Sequence, residues 1–110
     1  MEAKISARCP IRTALELLGG KWRLLIINEL KQTPLRPSEL KRRVADISEK
    51  MLNQELQVLM MHHLVERKNY GEVPPRVEYY LTDAGQAALP LIEAMACFAR
   101  RYDQVAKRQN

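Results

Sequence analysis

The sequence has no apolar run approaching the length of a membrane span, and residues 1–7 lack the apolar core of a signal peptide, so a cytoplasmic chain is expected. It holds only two cysteines, Cys9 and Cys97, far apart and in no CxxC pair. That spacing argues against a zinc ribbon and a disulfide-rich secreted scaffold, and reduced thiols are expected. No Ser/His/Asp set, glycine-rich phosphate loop or paired carboxylates at catalytic spacing occur, so neither enzymatic activity nor a cofactor is expected. Internal repeats, linkers and low-complexity runs are also missing.

What is present is an ordinary globular composition with an excess of cations. The 110 residues are 46% hydrophobic and 28% charged, with a formal net charge of +5. A chain of this length is expected to build one core, so 1–110 is read as a single domain. The charge fits a polyanionic partner, since each lysine or arginine that meets a phosphate releases a condensed counterion. Its distribution along the chain has to decide.

Helical periodicity dominates. Pro10 suits a first turn, Ile11, Leu15 and Leu18 share a face, and Gly19-Gly20 ends the segment. A second helix is expected over 21–31, with Trp22, Leu25, Ile26, Glu29 and Leu30 as a broad stripe at the centre of the core. Pro34 breaks it. A short third helix over 38–44 turns Leu40 and Val44 inward and Lys41, Arg42 and Arg43 outward. After a turn at 46–48, Ser48 is placed to cap a helix over 49–62. Leu52, Leu56 and Leu59 form its core stripe, joined by Met51 and Met60, and Glu49, Lys50, Asn53, Gln54 and Gln57 lie on the other face. Alternation then takes over at 65–70 and returns at 76–81, with Pro74-Pro75 at the tip of a β-hairpin. From Thr82 onward Ala84, Ala88, Leu91, Met95, Phe98, Tyr102 and Val105 follow a heptad seam, which Pro90 should kink or split.

The expected fold class is therefore mostly α with a small β-hairpin (α+β). Helix, helix, basic short helix, turn, amide-rich helix and hairpin follow the order of a winged helix-turn-helix with a long C-terminal helix. In such a domain the second helix of the motif enters the major groove, where lysine and amide side chains hydrogen-bond base edges. Ser48, Lys50, Asn53, Gln54 and Gln57 are the candidates for that role. Arg36, Lys41, Arg42, Arg43, Arg67, Lys68 and Arg76 are candidates for phosphate contacts beside the helix and on the hairpin. For each of them a solvated surface position is the competing reading. The hydroxyl of Ser48 suits both a helix cap and a phosphate contact.

Cys9-Pro10, Leu18-Gly19-Gly20-Lys21-Trp22, Ser38-Glu39-Leu40 and Ile47-Ser48-Glu49-Lys50-Met51-Leu52 resemble the HxlR-type regulators. Leu64-Val65-Glu66-Arg67, the stretch from Glu72 to Tyr79, Leu81-Thr82 and Gly85 extend the likeness over about residues 8–100. The resemblance implies a winged helix that binds a palindromic operator in double-stranded DNA, with repression as the sign of regulation. It also implies a homodimer built from 8–18 and 83–107, with Ile11, Leu15, Leu91, Met95, Phe98 and Tyr102 at the interface. It further implies that Cys9 occupies a position where family members sense oxidants or electrophiles, so a small-molecule or oxidant inducer is an expected partner. Two departures stand out: His63 replaces a usual glycine at a helix end, and Pro37 replaces a usual aromatic.

Several alternatives stay open. Cys9 is either an inert buried residue or, beside Arg8 and Arg12 at a helix start, a reactive thiolate. Cys97, next to Phe98, reads as a packing residue. His62-His63 suits a helix C-terminus better than a metal site. The competing function is a protein-interaction module that uses the C-terminal seam without binding DNA.

Overall fold

The computed structural model describes residues 9–109, so Arg8 and the rest of the first eight positions lie outside it. Among the described residues eight elements follow one another: α1 (Pro10–Leu18), α2 (Arg23–Glu29), α3 (Pro37–Arg43), α4 (Glu49–Met61), β1 (Val65–Asn69), β2 (Val77–Leu81), α5 (Asp83–Gln86) and α6 (Leu89–Gln109). The expected mixture of helices and one antiparallel hairpin is what forms.

Local chemistry accounts for most of the boundaries. Pro10 opens α1, and the Gly19 amide closes it on the Leu15 carbonyl at 2.8 Å. A Cβ at Gly19 would lie 2.4 Å from that oxygen, and Gly20 has φ +99°, so both positions require glycine. Pro37 is the first residue of α3, one position earlier than expected, and the Glu39 carboxylate accepts the Arg36 amide at 2.8 Å. Ser48 caps α4 by accepting the Met51 amide at 3.0 Å. At the other end His63 takes φ +60°, and Leu64 N–H reaches Leu59 O while His63 N–H reaches Met60 O, a Schellman closure without its glycine.

The buried side chains form one cluster, centred on Ile26, Ile27, Leu40, Ile47, Leu52, Leu56, Leu59 and Val65. Helix α2 is shorter than the expected 21–31, and its burial is shifted. Ile27 joins Ile26 in the core, whereas Leu25 is exposed and Trp22 and Glu29 are only half-buried. The shortening has a structural reason: the chain leaves the helix so that Leu35 can bury and pair with Tyr79. Leu35 and Tyr79 exchange amide-to-carbonyl bonds of 3.0 and 2.8 Å, fastening the α2–α3 connection to the hairpin.

The hairpin pairs Val65 with Leu81 through Asn69 with Val77. In β1 only Val65 is buried, so the hairpin projects beyond the core. The expected break near Pro90 falls at residues 87–88, and Pro90 itself sits in the first turn of α6, where its missing amide costs nothing. The 21-residue α6 stretches the molecule to 58 × 35 × 24 Å. Its radius of gyration, 16.1 Å, exceeds the roughly 13 Å of a compact chain of this length.

Candidate nucleic-acid interface

Helix α4 presents two opposite faces. Leu52, Leu56 and Leu59 are buried, which forces Lys50, Asn53, Gln54 and Gln57, one helical stripe at i, i+3, i+4 and i+7, into solvent. Their side chains form no hydrogen bond or ion pair within the described residues. Three amides and an ammonium are thus left with their hydrogen-bonding capacity unused. Ser48 lies at the start of the same helix, and its oxygen is engaged as the cap acceptor while its proton remains available to a further partner.

The cations around this stripe differ in how far they are committed. Lys41, Arg42 and Arg43 in the last turn of α3, and Arg67 on β1, are exposed without a carboxylate partner among the described residues. Arg36 is exposed as the N-cap residue of α3. Gln57 and Arg67 line one groove of about 520 Å³ between α4 and the hairpin, together with Glu66 and Tyr79. The fold therefore brings the amide stripe and the first hairpin cation together.

The hairpin tip is organised differently. Arg76 stacks 3.8 Å from the Tyr70 ring and pairs with Glu72 at 3.2 Å, while Lys68 stands 5.0 Å from the same ring. Tyr70 donates its hydroxyl proton to Glu78 at 2.7 Å, and that bond is the main reason its pKa lies above the usual phenol value. Tyr80 donates to Glu66 at 2.7 Å with the same consequence. Arg76 is thus partly spent on bracing the tip, and Val73 at its end is 96% exposed.

The terminal helices carry a second, apolar surface. Ile11 and Leu15 on α1 are 71% and 65% exposed, and Leu91, Met95, Phe98 and Tyr102 on α6 are also open to solvent. Between the two helices runs an apolar cleft of about 490 Å³ that reaches from Pro10 to Met95. Cys9 is exposed at the N-cap position of α1, so its reading as a buried small residue fails within this chain. The expectation for Cys97 is corrected too: it is exposed rather than packed, and Arg100 Nη2 donates to its sulfur at 3.6 Å. The two thiols are not bonded to each other. His62 is the C-cap residue of α4, as its sequence position suggested.

Periodicity alone missed one long-range pair between α2 and α4. Arg23 Nε donates to Glu55 Oε1 at 2.8 Å, joining the start of α2 to the middle of α4 across 32 residues of sequence. No helix among the described residues is long and apolar enough to cross a membrane.

Comparison with known proteins agrees with this architecture. The profile of the HxlR-like helix-turn-helix family matches residues 17–107. An HTH-type transcriptional regulator of Methanothermobacter thermautotrophicus is 39% identical over 94 residues, covering 86% of this chain and 72% of that protein. A MarR-family transcriptional regulator from Porphyromonas gingivalis W83 superposes with a TM-score of 0.80 at 46% identity, over 84% of this chain and 91% of the other. HypR in its reduced form, described as a redox regulator, superposes with a TM-score of 0.83 at 29% identity, over 91% and 99%. Buried apolar stripes that turn amides outward, a projecting hairpin and the matched span together make this chain a member of the HxlR-like helix-turn-helix family of transcriptional regulators.

Proposed function

We propose that the protein is a cytoplasmic, sequence-specific repressor that binds double-stranded DNA as a homodimer. The observation that carries this reading is the exposed stripe Lys50, Asn53, Gln54 and Gln57, flanked by the uncommitted cations Lys41, Arg42, Arg43 and Arg67. Asparagine and glutamine pair bidentately with adenine, and lysine with guanine, so the stripe supplies base readout. The flanking cations, Arg36 and the hairpin's Lys68 and Arg76 supply phosphate contacts, which set register and carry little base information. The apolar faces of α1 and α6 join two chains, placing two α4 helices about one turn of DNA, roughly 34 Å, apart on a palindromic operator.

Cys9 is the sensor in this reading. Its thiol is exposed at the start of α1, which lies at the proposed dimer face. The structural likeness to HypR, a redox regulator, supports an oxidant or electrophile as inducer.

Binding-site selection with the reduced protein, repeated after oxidation, tests both halves. A palindromic sequence should emerge from the reduced protein, bound with a steep salt dependence and a specificity ratio of about 10³ or more over random DNA. Alanine at all of positions 50, 53, 54 and 57 should abolish that preference, and an unchanged operator affinity would reject the assignment of the reading face. Cys9→Ser should remove the response to oxidant. Selective capture of another protein with no preference among duplexes would favour the interaction-module reading instead.

A further inference from the structure

One side chain ties three helices together. Besides its bond to Glu55, Arg23 donates through Nη1 to the carbonyls of Glu16 and Leu17, at 3.2 Å each. Both charged side chains are mostly withdrawn from solvent, at 21% for Arg23 and 15% for Glu55. The site of the arginine is informative. A cation opposes the positive end of its own helix, and Arg23 is the first residue of α2. It is favourable at the negative C-terminal end of α1, whose last carbonyls have no partner within their helix. Arg23 is therefore explained by what it joins rather than by what it does for α2.

The preceding turn serves the same geometry. Gly19, with no room for a Cβ, and Gly20, at φ +99°, fold the chain back so that Arg23 returns to the end of α1. None of the side chains of that helix is buried, and Leu18 is half-buried against the core cluster. On α4, Glu55 lies off the outward stripe, half-buried, and is not one of the groups offered to DNA.

We infer that Arg23 and Glu55 are a positioning pair that locks α4 to the end of α1, so that the DNA-reading helix and the dimer-forming helix keep one relative orientation. Changes at α1, including those at Cys9 on its opposite end, then reach α4 through this pair. The inference rests on the proposed roles of α4 in reading DNA and of α1 in the dimer. The guanidinium serves these acceptors from two separated nitrogens, Nε toward Glu55 and Nη1 toward the two carbonyls, whereas an ammonium would have to reach all three from a single atom.

Hydrogen–deuterium exchange of the full-length protein without DNA is the first test. Glu55→Ala should speed exchange in the last turn of α1, notably at the Gly19 amide, by about tenfold, although the substitution is far away in sequence. Glu55→Gln, which keeps an acceptor, should give a smaller rise, and Arg23→Lys a rise close to that of Glu55→Ala. If Glu55→Ala fails to fold, the other two variants, which keep side-chain volume, decide the matter. Unchanged exchange in α1 would overturn the inference.

The second test compares the selected palindrome with a duplex carrying one half-site. The variants should lose about tenfold on the palindrome and less than about twofold on the half-site, because only the palindrome demands a fixed spacing between the two α4 helices. Equal losses on both duplexes would overturn the positioning role. Wild-type protein that binds neither duplex would instead remove the DNA reading, while the exchange result would still decide whether the pair couples α1 to α4.

Discussion

Helices α4 and α6 are both amphipathic, yet they present opposite faces to solvent. In α4 the leucines are buried and the amides are outside; in α6 only half-buried side chains such as Leu89 and Ile92 pack on the core, and Leu91, Met95, Phe98 and Tyr102 lie outside. Exposed polar side chains cost nothing in water, so the α4 stripe is stable as it stands and free to meet a polar partner. An exposed run of large apolar side chains is different, because covering it returns about 25 cal/mol for each square ångström removed from water. One helix is finished within the chain and, in the proposed function, meets a charged groove, whereas the other leaves an apolar half uncovered. The elongated shape of the molecule follows from the unfinished half.

The sharpest way to break this comparison is to make the inward face of α4 fail. Leu56 is 1% exposed, and Leu56→Ala should cost about 2–5 kcal/mol through lost burial and a residual cavity. Gln57→Ala, one residue further, should change stability by less than about 0.5 kcal/mol. Urea denaturation of the two variants measures the contrast directly. Similar losses in both would mean that the α4 stripe is packed against something rather than offered to a ligand.

The complementary change is on α6. Phe98→Glu should leave each chain folded but split the proposed dimer, since a carboxylate would have to be buried in its apolar interface. Sedimentation should shift from dimer to monomer. Operator affinity should fall about a hundredfold, because two half-sites no longer bind as one unit. A folded variant that stays dimeric would place the interface elsewhere.

How much of this was legible in the sequence depends on the range of the interaction. Ser48, Thr82 and Pro10 announce helix starts within four residues of themselves, and each does what its chemistry suggests. The leucine spacing in α4 identified its outward face without error for the same reason: a period of 3.6 is local information. The extent of α2 was not legible, because its end is decided by Leu35 pairing with Tyr79, some 44 positions away. Leu25 matched the apolar period and still stands outside, since periodicity proposes a face and the neighbours decide which side is covered. Arg23 and Glu55 carried no local signal for each other. Arg76 looked like one more free cation until the hairpin register set it on Tyr70 and beside Glu72.

A milder test separates the two roles of Ser48. Ser48→Ala should lose about 1 kcal/mol of stability with the cap on the Met51 amide. Ser48→Asp restores the acceptor and suits the helix dipole, so thermal denaturation should return close to wild type. A carboxylate next to DNA phosphate should nevertheless weaken operator binding relative to Ser48→Asn, which caps without charge. If the aspartate and asparagine variants bind equally, the hydroxyl is a cap alone and does not lie near the backbone of the duplex.

The smallest expected effect lies at the junction between α4 and the hairpin, where His63 stands in place of the glycine that the resemblance leads one to expect. His63 holds φ +60° to complete the helix closure, and its carbonyl accepts the Thr82 hydroxyl at 2.6 Å, so the backbone geometry is fixed from both sides. A residue with a Cβ is strained there by about 1 kcal/mol relative to glycine, which adopts the left-handed region freely. Glycine also gains more freedom in the unfolded chain, which offsets part of that relief. His63→Gly should therefore stabilise the fold by a few tenths of a kcal/mol, up to about 1. The gain should leave operator affinity unchanged, because position 63 is at the far end of α4 from Lys50. A decrease in melting temperature would show that the imidazole contributes more than its backbone strain removes.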